Sequence, residues 1–114
     1  MYKLTAFFAS IIFAATAFAA AKTKVTFVTD WQAQAEHGGY YQALAKGYYA
    51  KRGLDVTIRM GGPAVNPPQL IAAGAADFVM GSNSFQPMDL LKAGADVQAV
   101  AAIFQKDPQV LITH

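Results

Sequence analysis

Residues 24–59 alternate between two β-rich segments and one helical segment, and this alternation restricts the fold more than any other feature. Residues 24–29 (KVTFVT) and 54–59 (LDVTIR) are rich in β-branched side chains. Residues 40–51 place aromatic and aliphatic side chains at helical spacing. Two strands that are joined by a helix pair in parallel, usually through a right-handed crossover. The alternation therefore predicts an α/β fold built on a mostly parallel sheet.

A second helix is expected soon after the second strand. Asn66 is a good N-cap, Pro67 suits the first helical position, and Gln69 stands where a capping-box partner belongs. Gly74 is expected to end this helix. Residues 77–80 (DFVM) then read as a third strand, too brief to be anything but buried.

The alternation continues to the end of the sequence. Residues 81–84 form a turn of small polar residues, in which Ser84 is expected to cap a helix that runs to Lys92. Residues 97–104 (VQAVAAIF) and 110–113 (VLIT) have the apolar composition of buried strands. The chain ends inside the second of these segments, so a truncation is expected.

The first 21 residues have the layout of a secretory signal peptide. Lys3 supplies a positive charge, residues 4–15 are apolar, and alanine-rich triplets follow as cleavage sites. The apolar run is short for the roughly 20 residues of a membrane-spanning helix. No cysteine follows it, so a lipid anchor at that point is excluded. We expect residues 1–21 to be removed and residues 22–114 to be periplasmic. An uncleaved N-terminal anchor is the alternative.

Composition excludes several classes of protein. The chain has 114 residues, enough for one small domain, and 54% of them are hydrophobic, which argues against disorder. The net charge of +2 is not gathered into a basic stripe, so nucleic-acid binding is not expected. His37 and His114 are too far apart for a metal-ligand motif, and no phosphate loop, GxGxxG or GxSxG is present. No metal, cofactor or catalytic constellation is therefore expected.

Three strand-to-helix loops, residues 30–39, 61–66 and 81–84, are expected to meet at one edge of the sheet. The candidate ligand-binding residues share aromatic or hydrogen-bonding side chains, and they are Trp31, His37, Tyr40, Asn66, Ser82 and Asn83. A small planar polar molecule would suit such a site, because it can stack on an aromatic ring and form hydrogen bonds.

Each feature of these loops also has a purely structural interpretation. Trp31 could cover the end of the core, and His37 could simply cap the first helix. The Gly61-Gly62 pair is more typical of a turn than of a binding loop. The tyrosines of the first helix are mostly core residues, of which Tyr40 is nearest the edge.

The order and spacing of several short motifs are typical of a known family. These motifs are Asp30-Trp31, His37-Gly38-Gly39, Ala43, Gly47-Tyr48, Gly53-Leu54-Asp55-Val56, Ala73-Gly74, Asp77-Phe78, Gly81-Ser82, Gly94 and Val100-Ala101-Ala102. With them, the mature segment resembles the N-terminal part of ABC-transporter substrate-binding proteins of the nitrate, sulfonate and thiamine-precursor type. The resemblance implies a type II periplasmic-binding-protein fold, in which two α/β lobes close on a ligand. Residues 22–114 would form the N-terminal part of the first lobe.

The same resemblance implies a role in solute uptake. The pattern around Trp31 and His37 is most similar to the branch that binds thiamine-precursor pyrimidines such as hydroxymethylpyrimidine. Trp31 would stack on the ring, and His37 would line the pocket. Such proteins deliver their ligand to a membrane permease, catalyse nothing, and are expected to be monomers. Sulfonate, nitrate, riboflavin or another small solute is the alternative ligand.

An enzyme of the same fold is the alternative from another class. The yeast-type synthase builds the thiamine pyrimidine from its own histidine and pyridoxal phosphate. Its active-site lysine and histidine align with Gly81 and Phe85 here, and neither can perform that chemistry. This difference and the leader favour a binding protein over the enzyme. A small secreted interaction domain, complete as it stands, is a third hypothesis.

Overall fold

A three-stranded parallel sheet forms the centre of the fold in the computed structural model, which describes residues 21–106 and 110–113. The strand order is β2-β1-β3. The strands are β1 (Thr23–Val28), β2 (Leu54–Arg59) and β3 (Phe78–Val79). The helices are α1 (Gly38–Ala45), α2 (Tyr48–Lys51), α3 (Pro67–Ala72) and α4 (Phe85–Lys92). The predicted α/β fold is confirmed.

Strand β1 is central because it pairs on both sides. Its whole length pairs with β2 and its last two residues pair with β3. Asp77 extends the contact with β3, since its carboxylate accepts a 2.7 Å hydrogen bond from the Thr26 amide and its own amide donates to the Thr26 carbonyl. Val28 and Thr29 are fully buried where the strand ends. The core therefore lies directly beneath the loop that follows β1.

The single helix predicted over residues 40–51 is wrong, because two helices occupy that segment. Gly47 lies between α1 and α2 with a φ of 68°, a left-handed conformation that glycine adopts readily and that interrupts the helical ladder. The apolar spacing continues across the break, so the sequence pattern hides it. The ring of Tyr40 lies 4.6 Å from the ring of Phe27 and packs α1 against β1.

The predicted start of α3 is confirmed for the Asn66 cap and for Pro67. The side-chain oxygen of Asn66 accepts a hydrogen bond from the Gln69 amide at 3.2 Å, and Pro67 begins the helix. Gly74 follows the last turn with a φ of 69°. These residues form the helix start and the αL end that their sequence indicates.

The predicted cap of α4 is wrong by one residue. The side chain of Ser84 makes no capping hydrogen bond. The Oδ1 atom of Asn83 instead accepts from the amides of Phe85 and Gln86, at 3.0 and 3.2 Å. The longer amide side chain reaches two free N–H groups from one position earlier, so the serine is not needed.

The strands predicted for residues 97–104 and 110–113 are wrong. Both segments are irregular and exposed, with Ile103 at 68% and Leu111 at 97% of full exposure. A strand is stable only beside a neighbour that pairs its backbone groups, and β3 is only two residues long. Phe78 in β3 is itself 46% exposed, so the expectation that this strand is buried is wrong for that residue.

The predicted signal peptide falls almost entirely on residues 1–20, which lie outside the described residues. Its assignment, and that of residues 22–114 as part of a first lobe, stay predictions. Within residues 21–106 and 110–113, no helix is long and apolar enough to cross a membrane.

Candidate functional site

A cleft opens at the carboxyl ends of β1 and β3. Strands β2 and β3 lie on opposite sides of β1, and a change of direction in strand order is where open α/β sheets hold their ligands. The cleft has a volume of about 500 Å³ and is open to solvent. It is lined by Asp30, Trp31, residues 62–68, Ser82 and Gln86. The three loops that were predicted to meet at one edge therefore do meet.

Thr29 ties the first two loops together from below. Its hydroxyl donates to the Trp31 carbonyl at 2.6 Å and accepts from the Gly61 amide at 3.2 Å. The same Gly61 amide lies 3.1 Å from the Trp31 carbonyl and donates to it as well. We call Thr29, Trp31 and Gly61, with these three hydrogen bonds, the Thr29 junction. It fixes the backbone of Trp31 at the cleft.

Gly61 allows this close approach because it has no side chain. A Cβ atom at this position would overlap the Thr29 carbonyl oxygen and would lie 2.7 Å from the Asp30 carbonyl carbon. Both neighbours are backbone atoms, which cannot rotate away. The chain has to pass over the end of β1 on its way from β2 to β3, and Gly61 is where it touches β1. Gly61 is thus more than a turn residue.

Three of the six predicted site residues line the cleft. Trp31 is 44% exposed there, beside Asn66 and Ser82. The Asn66 oxygen is used as the cap of α3, which leaves its amide N–H groups for other partners. The Ser82 amide donates to the side-chain oxygen of Gln86 at 3.0 Å, so Gln86 holds the loop that presents this serine.

The other three predicted residues, His37, Tyr40 and Asn83, lie outside the cleft lining. His37 is fully buried in the turn of 3-10 helix at Ala35–His37, and its Nε2 atom lies 2.9 Å from Oδ1 of Asp30. Tyr40 packs on β1 and Asn83 caps α4. His37 occupies the N-cap position of α1, but its side chain makes no capping hydrogen bond. Ligand contact by these three residues stays a prediction.

Sequence reasoning missed Asp30 and Gln86. Asp30 is the only charged side chain among the cleft-lining residues. A signal for it was present, because an acidic residue directly after a buried strand lies at the ligand-binding edge of the sheet. Gln86 gave no such signal, since it lies inside a helix. Among the described residues, no group of three or more His, Cys, Asp or Glu side chains could hold a metal ion.

The family model described as "NMT1/THI5 like" matches residues 34–114. The chain belongs to this family. The matched region contains His37 and the loops that follow β2 and β3, whereas Asp30 and Trp31 precede it.

Two curated relatives agree with this family. A formylaminopyrimidine-binding protein from Halalkalibacterium halodurans is 35% identical over 77 residues, which are 68% of this chain and 22% of the relative. A protein of Haemophilus influenzae, named as a thiamine biosynthesis protein, is 33% identical over 67 residues, 59% of this chain and 20% of the relative. The chain spans about a fifth of the length of the curated relatives that it matches.

Proposed function

We propose that this protein is the periplasmic solute-binding component of an ABC importer and that it binds a thiamine-precursor pyrimidine. The observation that carries the proposal is the position of Trp31, an aromatic ring 44% exposed beside a cleft of about 500 Å³. An exposed tryptophan among polar groups can bind a flat heteroaromatic ring by stacking. The bound pyrimidine would then be delivered to a membrane permease.

The polar groups around Trp31 match the edge of such a ring. Asn66 and Gln86 offer amides and Ser82 offers a hydroxyl group. A pyrimidine with an amino substituent carries both hydrogen-bond donors and acceptors in its plane, so these groups can fix its orientation while Trp31 holds its face. One relative is named for binding a formylaminopyrimidine and the other for thiamine biosynthesis, which supports this class of ligand.

The open shape of the cleft supports a two-lobed clamp. The described residues form a wall on one side of the cleft, and the other side meets solvent. In a clamp of this kind a second lobe closes over the ligand and removes it from water. Since the chain spans about a fifth of its relatives, we place that second wall in sequence beyond the matched part.

We propose binding rather than catalysis. By the resemblance to the synthase, Gly81 and Phe85 take the places of its lysine and histidine. Phe85 is 70% exposed at the start of α4. The cleft-lining residues include no lysine that could hold pyridoxal phosphate as an imine. Absorption of a pyridoxal–lysine imine in the purified full-length gene product would contradict this proposal and favour the enzyme.

Isothermal titration of the full-length gene product tests the proposal. The ligand is the amino-hydroxymethyl-methylpyrimidine that forms one half of thiamine, and we expect a dissociation constant in the micromolar range or below. Trp31→Ala should weaken binding by roughly fivefold to a hundredfold, the loss of one stacked ring, and Trp31→Phe by less.

Tyr48→Ala is the matched control, since Tyr48 is an exposed aromatic residue on α2 that does not line the cleft. Its affinity should equal that of the wild type. An absence of binding by the wild type, or equal binding by Trp31→Ala, would sink the proposal.

A further inference from the structure

Among the described residues that line the cleft, Asp30 has the only charged side chain. The other lining groups are the tryptophan ring, amides, a hydroxyl group and a loop of glycine, proline, alanine and valine. The Asp30 side chain is 27% exposed, and Asp30 lines the cleft. An ionised carboxylate has only acceptor atoms, so it favours ligands that donate hydrogen bonds and opposes anions.

The Asp30 carboxylate is held by His37. The Nε2 atom of His37 lies 2.9 Å from Oδ1 of Asp30 and donates to it, because an ionised carboxylate can only accept. His37 is fully buried, and its other ring nitrogen, Nδ1, has no hydrogen-bond partner within the described residues. Within the described residues, the hydrogen bond of the buried His37 ring is therefore made to Asp30, which lines the cleft.

This contact also decides which carboxylate oxygen remains for a ligand. The hydrogen bond between His37 and Asp30 uses the Oδ1 atom of the Asp30 carboxylate. Within the described residues no hydrogen bond uses Oδ2, so this oxygen remains able to accept one from a ligand. A carboxylate with one oxygen fixed cannot rotate freely, so the position of the second oxygen is set before the ligand arrives.

We propose that Asp30 selects the ligand of this cleft, accepting a hydrogen bond from an N–H group at the edge of a heteroaromatic ring, and that His37 is the buried positioning residue for its carboxylate. This inference rests on the proposed function and narrows it to donor-bearing or cationic nitrogen heterocycles. Sulfonate and nitrate, which present only acceptor atoms, are excluded by the same carboxylate.

The first test compares two probes on the full-length gene product by isothermal titration. One probe is the amino-hydroxymethyl-methylpyrimidine used above, and the other is its deamino analogue, in which hydrogen replaces the amino group. Asp30→Asn should weaken binding of the amino probe about tenfold or more, because a charge-assisted acceptor is lost. Binding of the deamino analogue should change by less than about threefold. Asp96→Asn removes the same charge at an exposed position outside the cleft and is the matched control.

The second test separates positioning from a purely structural role of His37. His37→Leu removes the donor and His37→Gln retains an N–H near the position of Nε2. We expect His37→Leu to lower affinity for the amino probe more than for its deamino analogue, and His37→Gln to recover most of the loss. In the double variant with Asp30→Asn, removal of His37 should add little, because its effect passes through the carboxylate. Where His37→Leu does not fold, His37→Gln is compared with the wild type on both probes. A loss of affinity that is equal for the two probes would contradict the positioning role of His37.

The outcomes distinguish this inference from the proposed function. If the wild type binds both probes but Asp30→Asn weakens them equally or not at all, the role of Asp30 is wrong and the pyrimidine site stands. If the wild type binds neither probe, both proposals fail. Tighter binding of ethanesulfonate than of the amino probe would also overturn both.

Discussion

The Thr29 junction depends on the smallest side chain in the sequence. Gly61 brings its amide within 3.1 Å of the Trp31 carbonyl and 3.2 Å of the Thr29 hydroxyl. Any Cβ atom at this position would overlap the backbone of β1. The position of Trp31 in the cleft therefore depends on a residue that is thirty positions away in sequence and makes no contribution through a side chain.

At the residue scale, Gly61→Ala is expected to destabilise the protein by about 1–3 kcal/mol, because the backbone has to shift to remove the overlap. The measurement is the free energy of unfolding in urea, together with the affinity for the amino probe, which should also fall. Gly39→Ala is the matched control. Gly39 lies in α1, and a Cβ atom on it would meet nothing within 4 Å. Equal stability of the two variants would show that the close approach has no energetic importance.

The cleft residues show how far the sequence determines a site. Trp31, Asn66 and Ser82 could be placed there, because parallel strands bring the loops at their carboxyl ends to one edge. His37 was correctly placed in the loop after β1, but the sequence does not show that its ring is buried beneath Asp30. Burial of the ring depends on how the 3-10 turn at Ala35–His37 and helix α1 pack on β1. The position of a residue in a loop does not show this packing.

At the element scale, the two side chains before α4 have different expected roles. Asn83→Ala should lower the free energy of unfolding by about 1 kcal/mol, because two helix amides lose their acceptor. Ser84→Ala is the matched control and should change stability by less than about 0.5 kcal/mol, as its side chain makes no capping bond. A larger loss for Ser84→Ala than for Asn83→Ala would restore the cap predicted from sequence.

Helix α2 gives an expected dependence of stability on alkaline pH. Burial, and to a lesser extent the neighbouring Tyr40 phenol, raise the pKa of Tyr49 above its ordinary value of 10.0. The folded state then holds the phenol proton more tightly than the unfolded state. The stability from this group is complete below that ordinary value and is lost as pH rises through the folded pKa.

Tyr49→Phe should therefore lose less stability than the wild type between about pH 8 and about pH 11 in urea unfolding. Tyr48→Phe, which changes a neighbouring and more exposed phenol, is the comparison. Identical pH profiles for all three proteins would contradict the link to Tyr49.

The elements that the sequence predicted incorrectly share one physical cause. Residues 40–51 have continuous helical spacing, yet Gly47 adopts a left-handed conformation that ends α1. Residues 97–104 have strand composition, yet no ladder pairs them. Composition shows which segments tolerate a helix or a strand. Whether a strand is paired, and whether a glycine adopts a left-handed conformation that ends a helix, depend on the surrounding structure.

At the scale of the whole molecule, a large apolar surface follows α4. Val100, Ile103, Phe104, Val110 and Leu111 are all at least 66% exposed in the structure. Large apolar side chains that are exposed in this number are typical of a surface that a partner covers. The curated relatives are about five times as long as the matched part, and the rest of a protein of that length is expected to cover these side chains.

A segment of residues 22–114 alone should therefore bind the dye anilinonaphthalene sulfonate and associate in a concentration-dependent way. The full-length gene product should show weaker dye fluorescence per molecule and elute as a monomer. The measurements are dye titration and size-exclusion chromatography at two concentrations. A monomeric, dye-free segment would instead favour a small domain that is complete as it stands.

The Thr29 junction uses main-chain groups and one hydroxyl group, and none of its atoms belongs to the side chains of residues 63–65 or of Ser82. Scaffold and selectivity are therefore encoded by different positions. A combinatorial library at Pro63, Ala64 and Ser82 can change which solute fits while leaving the support of Trp31 intact. The same separation would let evolution change the ligand of the cleft through a few substitutions, without loss of the support beneath Trp31.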